Sequence, residues 1–421
     1  MSRSPADDLP TGWCASTLGA VTDNYDGQRR PVKASDRADR TGEYPYYGAS
    51  GVIDFVDQYI FDGTYLLVAE DGANLLSRST PIAFTAKGRF WVNNHAHILQ
   101  TKANCSLDYL QHYLNWLDVA PYVTGTAQPK LTQKALNRIP VPLPPIDEQQ
   151  RIMARVNSLF ERSKGARDEL VRVPGLVERY KQTILASAFR GDLTSASRTS
   201  GSIPPPTWGK RALGEIADVG TGSTPKRGEP RFYMNGTIPW ITSTAVNKAY
   251  IENATEMITE AALRETNCKL FPAGTIVMAM YGEGQTRGRV ATLGIPAATN
   301  QALAAISILD SNVVLADFVL WFLRANYLEL RSQAAGGVQP NLNLGIIKAL
   351  QIPLPHIAEQ YEIVRHIDEV CAHCDRISDE VTHAIDMLDR LDQASLAKAF
   401  RGELVPKSDA EQIHHEEVAA E

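Results

Sequence analysis

VPLPPIDEQ (141–149) and IPLPHIAEQ (352–360) are one phrase written twice, 211 residues apart, and that shift organises the chain. LASAFRGDL (185–193) returns as LAKAFRGEL (396–404), and TAQPKL (126–131) returns as GVQPNL (337–342), at the same shift. From the QP loop to the end of each half there is no insertion or deletion. Upstream the similarity weakens. TGW (11–13) with Leu18-Gly19 matches TW (207–208) with Leu213-Gly214, and YPYY (44–47) matches IPWI (238–241). GTYLLVAEDG (63–72) matches GTIVMAMYG (274–282), and NNHAHIL (93–99) matches TNQALAA (299–305), which sets Asn94 opposite Asn300. The shift climbs from about 195 to 211 along this stretch, so the second copy holds roughly sixteen extra residues, chiefly between IPWI and the GT strand. A repeated back with divergent fronts suits two similar modules that read two different things.

The prolines of the repeated phrase forbid a helix through it, and a helical period begins just after. Stepping by four and three, the first copy places Ile152, Val156, Leu159, Ser163, Ala166, Leu170, Val173, Val177, Tyr180 and Ile184 on one stripe. The second places Ile363, Ile367, Val370, Cys374, Ile377, Val381, Ala384, Leu388, Leu391 and Ser395 there. This is a heptad pattern with charged flanks. A helix from Asp147 to Ala188 would be about 60 Å long, too long and too single-striped to stand alone. The equivalent helix of the other half is the natural partner, and a twofold relation between the halves makes the pair antiparallel. Pro174-Gly175 predicts a kink in the first helix only.

A chain of 421 residues exceeds one ordinary core and calls for two or three domains. Five scattered cysteines argue against a disulfide scaffold, and no stretch approaches a membrane span, so a cytoplasmic protein is expected. The net charge of −6 leans against a nucleic-acid binder until its distribution is read. Lys and Arg against Asp and Glu number 13 to 14 over residues 1–140, 13 to 11 over 206–350, and 6 to 16 over 351–421. The acid lies mostly at the end, and any DNA contact must come from local arrangement rather than a basic flood.

The fronts mix strand-like runs (Thr64–Val68, Pro81–Thr85, His95–Leu99, Thr275–Met280) with helical stretches at Leu107–Trp116 and Leu315–Leu328, an α+β pattern rich in polar, glycine-containing loops. The expected architecture has a first front domain over 1–140, a long helix over 141–193, a Ser/Gly/Pro linker over 194–206, a second front domain over 207–351, a second long helix over 352–404, and an acidic, disordered tail over 405–421. The two helices pack as an antiparallel coiled-coil spacer in a pseudo-twofold arrangement.

The two PLPxIxEQ phrases, the helices ending in LAxAFRG(D/E)L, the WVNNHAHIL segment (91–99) and the QPxL loops together resemble the specificity subunit of type I restriction-modification enzymes, over nearly the whole chain. That resemblance implies a non-catalytic subunit that reads a bipartite target in double-stranded DNA, one half-site per front domain, with the helices setting the gap. It implies two modification subunits carrying S-adenosylmethionine and adenine-N6 methyltransferase activity, docked around the helices. It also implies two translocating restriction subunits using ATP and Mg2+, absent from a methylation-only system. The recognition loops vary most in such a family. By location, Arg29, Arg30, Tyr47, Arg78, Lys87, Arg89, Asn94, Gln128 and Lys130 are the candidate DNA contacts of the first domain, and Lys226, Arg227, Trp240, Tyr281, Arg287, Arg289, Asn300, Gln339 and Asn341 those of the second.

The chain has no NPPF/NPPY-type tetrapeptide, no GxGxxG or P-loop, and no evident carboxylate cluster for metal-assisted cutting. Cys371 and Cys374, near His366 and His373, have a spacing that suits zinc, but no second CxxC exists and Cys374 lies on the helix stripe. They read as ordinary buried or partly buried cysteines. A different class remains as the alternative: a coiled-coil scaffold that binds no DNA.

Overall fold

The computed structural model describes residues 9–125, 127–194, 208–281, 286–333 and 341–406. The chain divides into two compact units, residues 1–171 with 382–421, and residues 172–381. Neither unit is one sequence repeat. Each takes a front domain, the near part of that domain's own long helix, and the far part of the other copy's helix.

In the first unit a six-stranded sheet runs in the order Thr22–Asn24, Ala96–Thr101, Phe61–Ala69, Ala83–Val92, Thr41–Gly48, Gly51–Val56. The Gly48–Gly51 loop is the turn of its edge hairpin. The helix Leu107–Trp116, capped by the Ser106 hydroxyl, buries Tyr109, Leu110, Tyr113 and Leu114. A two-stranded clasp pairs Cys14–Thr17 with Pro140–Leu143, so the proline phrase is extended and closes the domain where it began. Prolines suit such a ribbon because each partner has a free edge.

The second unit repeats this plan with a break. Ala217–Thr221, Leu303–Ile308, Ile276–Ala279, Val290–Leu293 and Tyr250–Ile251 form a five-stranded sheet. Glu256–Ile258, Ile238–Ile241, Ala297–Thr299 and Leu270–Phe271 form a four-stranded one. The single strand Ala83–Val92 of the first domain is here two strands, interrupted by Gly294-Ile295-Pro296. The extra residues supply Tyr250–Ile251 and the helix Glu260–Glu265, while Glu256–Ile258 pairs with Ile238–Ile241 as Gly51–Val56 pairs with Thr41–Gly48. Gln351–Leu354 and Gly209–Ala212 form the matching clasp.

The long helices are Ile146–Leu170, Val173–Arg190 and Ile357–Ala399. The first copy breaks at residues 171–172 because Pro174 cannot donate a helical hydrogen bond and its ring clashes with the carbonyl of residue 170. The second copy has Ile385 there and is continuous. Ile152 and Val156 are buried in the first unit's core and Ile363 and Ile367 in the second's. Ser163, Cys374, Val381 and Ser395 are buried, and Leu159, Leu170, Val173, Val177, Ile184, Val370, Ile377 and Leu388 are partly so. Leu391 and Tyr180, expected on the stripe, are half exposed, and Ala166 is exposed as well, a correction at those three positions. Leu396, Ala399 and Phe400 take over the burial beyond Leu391.

Both copies of AFRG(D/E) end their helix in the same way. Gly191 and Gly402 take left-handed φ of 80° and 71°. The amides of Gly191 and Asp192 donate to Ala188 and Ser187, and those of Gly402 and Glu403 donate to Ala399 and Lys398. This double bond pattern with a left-handed glycine satisfies the last helical carbonyls. Arg190 and Arg401 pair with Asp192 and Glu403, at 3.0 and 2.9 Å. The phenylalanines pack crosswise with respect to the repeat. Phe400 touches Tyr109, Tyr113 and Trp116 of the first unit, with ring centroids 5.1–5.3 Å apart, whereas Phe189 touches Phe318 and Phe322 of the second at 5.3 Å.

Candidate nucleic-acid interface

Four loops of the first domain meet at one end of its sheet: 26–30, 70–73, 93–96 and the described part of the loop that ends in 127–131. Backbone bonds tie them, with the amides of Leu131 and Gly72 donating to Glu70 and Pro129, and that of Glu70 donating to His95. Inside the junction lies a charge cluster that sequence reading missed. His97 Nε2 is 2.7 Å from the Leu131 carbonyl and Nδ1 is 2.6 Å from Asp26 Oδ2. Arg29 bonds Glu70 at 2.5 Å and the Ala96 carbonyl at 2.9 Å, and Lys130 Nζ lies 3.2 Å from Glu70 Oε1. Burial alone would raise the Asp26 carboxyl, but the hydrogen bond and charge of His97, the Ile98 amide and Arg29 hold it below its ordinary range. Glu70 is likewise lowered against burial, by Arg29, His97 and Lys130. Asp26, Glu70 and His97 offer ligand atoms within 4.8 Å of one another. Arg29 and Lys130 bind the carboxylates of this group, which ties the loops together.

The same junction exists in the second domain without the charge. Leu342 donates to Met280 as Leu131 does to Glu70, and Met280 donates to Ala302 as Glu70 does to His95. Strand register places Thr221, Met280 and Ala304 where the first domain has Asp26, Glu70 and His97. It also corrects one match made from sequence. The amide of Asn93 donates to Tyr47, and its side chain accepts from His95. The amide of Asn300 donates to Ile241, and its side chain accepts from Ala302. Asn93, not Asn94, is therefore the counterpart of Asn300, and both shape a turn.

The other sequence candidates fall into three groups. Arg30, Lys87, Arg89, Asn94, Gln128, Lys130, Lys226, Arg227 and Tyr281 are exposed. Arg89 pairs with Asp62 at 3.1 Å over the Tyr59 ring, and Lys226 with Glu229 at 3.6 Å. Arg29, Tyr47, Arg287, Arg289, Asn300 and Asn341 are partly buried, Tyr47 against Phe84 and Phe90 and Arg289 on Asn247 at 3.0 Å. Two are built into the fold. Arg78 donates to the carbonyls of Leu114, Asn115 and Leu117, closing the end of the Leu107–Trp116 helix, and burial lowers its pKa. Trp240 is 1% exposed, its indole N–H donating to Ser223, so no ring face is left for a base. Gln339 lies outside the described residues.

Sequence reading also passed over the buried glutamines of the repeated phrase. Gln149 donates to Pro144 and Asn104 and accepts from the Ser106 amide. Gln360 donates to Pro355 and Val313 and accepts from Leu315. Each locks the start of its long helix to the loop before the domain's packing helix. Cys374 is buried and Cys371 partly so, with burial raising the Cys371 thiol; neither belongs to a metal-competent group among the described residues.

The family model described as type I restriction modification DNA specificity domain matches residues 10–170 and again 205–386. The chain belongs to that family. It is 22% identical over 434 residues to the EcoDI specificity subunit of Escherichia coli, covering 96% of this chain and 92% of that one. Over 142 residues it is 36% identical to a candidate type I restriction enzyme specificity subunit of Haemophilus influenzae, a match spanning 34% of this chain and 36% of the relative. A chain from a structure solved to explain complex assembly and conformational transition of the type I R-M system superposes with TM-score 0.69 at 21% identity, covering 94% of this chain and all of that one, which establishes the common fold. As a type I specificity subunit the chain is non-catalytic, and it serves DNA together with other subunits of a restriction-modification system. Among the described residues no helix is long and apolar enough to cross a membrane.

Proposed function

We propose that this specificity subunit reads a bipartite DNA target, one half-site per front domain, with the long helices setting the number of unread base pairs between them. The observation that carries the reading is one loop junction built twice on the same backbone bonds, charged in the first domain and neutral in the second. Two copies of one scaffold presenting different chemistry suit two different half-sites. The exposed members of the candidate set, Arg30, Lys87, Arg89, Asn94, Gln128 and Lys130 in the first domain and Lys226, Arg227 and Tyr281 in the second, are the proposed contacts.

The antiparallel coiled-coil spacer belongs to this proposal. Arg167 pairs with Asp389 and Asp392, at 2.7 and 3.2 Å, within the first unit, and Lys181 with Asp375, at 2.6 Å, within the second. In each unit an ion pair thus joins the long helix of one copy to that of the other, as a paired spacer requires. Two modification subunits docked at the helices, carrying S-adenosylmethionine and adenine-N6 methyltransferase activity, and two restriction subunits using ATP and Mg2+ complete the proposed assembly. The test is a domain exchange. Replacing residues 12–140 by the first domain of another family member should change one half-site of the methylated motif and leave the other half-site and the gap intact. A changed gap with both half-sites preserved would contradict it.

A further inference from the structure

The two front domains share an arrangement that their sequences hide. In the first, Asp54 stands directly across the hairpin from Tyr46, Arg37 stacks over the Tyr46 ring at 5.0 Å, and Arg37 Nε bonds Asp54 at 2.7 Å. In the second, Glu256 stands directly across from Trp240, Arg227 stacks over the Trp240 ring at 5.0 Å, and Arg227 bonds Glu256 through both terminal nitrogens. Tyr46 and Trp240 are the matched residues of YPYY and IPWI, but the arginines and acids sit at unrelated sequence shifts, so only the fold aligns them. The arrangements differ in availability. Arg37 spends a second nitrogen on the Val32 carbonyl and its side chain is 16% exposed. Arg227 is 57% exposed and stands beside a second ring, Tyr233, at 5.4 Å.

The loop that carries Arg227 is anchored. Trp240 Nε1 and Cys268 Sγ contact the Ser223 carbonyl, and Tyr233 Oη donates to Pro225 at 2.5 Å. On this fixed loop and the turn beyond it lie Lys226, Arg227 and Arg231, each exposed and each paired with a carboxylate: Glu229, Glu256 and Glu265. Exposed pairs of this kind are weak and exchangeable. A stacked, planar guanidinium on a rigid loop keeps its geometry when its acceptor is exchanged.

We propose that Arg227 is a DNA-contacting residue of the second domain, held ready by the Trp240 and Tyr233 rings with Glu256 as a stand-in acceptor, which it exchanges for a paired acceptor on DNA. Two phosphate oxygens and the O6/N7 edge of guanine share that chemistry. Arg37 is the same device closed, a structural clamp. The proposal rests on the reading of the second domain as a DNA-binding module. The unaltered full chain, in complex with its modification subunit, therefore provides the reference binding to a duplex carrying its methylated motif. If the unaltered complex failed to discriminate that duplex from a scrambled one, the domain reading itself would fail, and the Arg227 assignment with it.

The measurement is equilibrium binding of Arg227→Ala, Arg227→Lys and Glu256→Gln complexes to that duplex over a salt series, with thermal melting of each variant alongside. Arg227→Ala should weaken binding about tenfold or more, and Arg227→Lys should recover only part. Glu256→Gln removes the competitor and should leave affinity equal or higher. A weakening that lowers the salt slope by about one and is uniform across sequences identifies phosphate. A weakening confined to one base pair of one half-site identifies guanine. Unchanged affinity in a folded Arg227→Ala complex would overturn the proposal, as would a Glu256→Gln variant that weakens binding as much as Arg227→Ala, the mark of a purely structural pair.

Discussion

At the residue scale, buried polar side chains tie each domain together. Gln149 and Gln360 were visible as repeated letters, but their work depends on three partners each, distant in sequence, which only the fold brings together. Gln149→Leu should leave the Ser106 amide and two carbonyls unpaired at a cost of about 3 kcal/mol. Hydrogen exchange should rise in the Leu107–Trp116 helix, and unaltered protection there would refute the clamp. Asp26, Glu70 and His97 lie too far apart in sequence to be read as a cluster. The folded structure depresses the pKa of both carboxyls, so their contribution is present above the unfolded pKa and is lost as pH falls through the folded one. The first unit should therefore lose stability below about pH 4.5, the ordinary value for Glu70, by a route closed to the second, which has Thr221, Met280 and Ala304 there. Urea unfolding of the wild type against an Asp26→Asn, Glu70→Gln variant across that range measures it, the variant showing the flatter profile. Gly222 sets a different limit. A Cβ there would lie 1.8 Å from the Thr299 carbonyl, so Gly222→Ala should displace the Arg227 loop and weaken binding at the second domain's half-site while sparing the first's.

At the element scale, the helices were legible and the sheets were not. The Leu107–Trp116 helix has the bounds its pattern predicted, and the break before Pro174 follows from proline chemistry alone. The sheets resisted because strand order is non-local. Nothing in the residues themselves says that Ala83–Val92 bridges two halves of one sheet while its counterpart splits at Pro296. The one-residue error at Asn94 has the same origin, since hydrogen-bond register rather than letter identity pairs Asn93 with Asn300. The crosswise packing of the two AFRG phenylalanines was also out of reach, because a repeat shows that two motifs are alike and not which partner each one meets. It can be tested directly. Phe400→Ala should cost about 3–5 kcal/mol and loosen Leu107–Trp116, and Phe189→Ala should loosen Ala316–Ala325. Hydrogen exchange that loosens the helices in the opposite assignment would contradict the packing.

At the scale of the whole molecule, duplication was the most informative property of the sequence, and it led to the family before any single residue could. What it could not supply is the division of each long helix between two compact units, which makes each unit depend on residues from both copies. That interdependence gives physical content to a spacer: neither front domain keeps its full core without the far end of the other copy's helix, as Leu396 and Phe400 in the first unit and Leu185 and Ala188 in the second illustrate. The central claim is that one chain reads two half-sites at a fixed separation. Its most direct test is single-molecule sequencing of methylated adenines in DNA from a host that expresses this chain with its modification subunit, compared with a host that lacks the chain. The account predicts chain-dependent methylation within one two-part motif whose gap is constant. Methylation of a single uninterrupted motif, or a pattern indifferent to the presence of this chain while the complex is assembled and active, would contradict it.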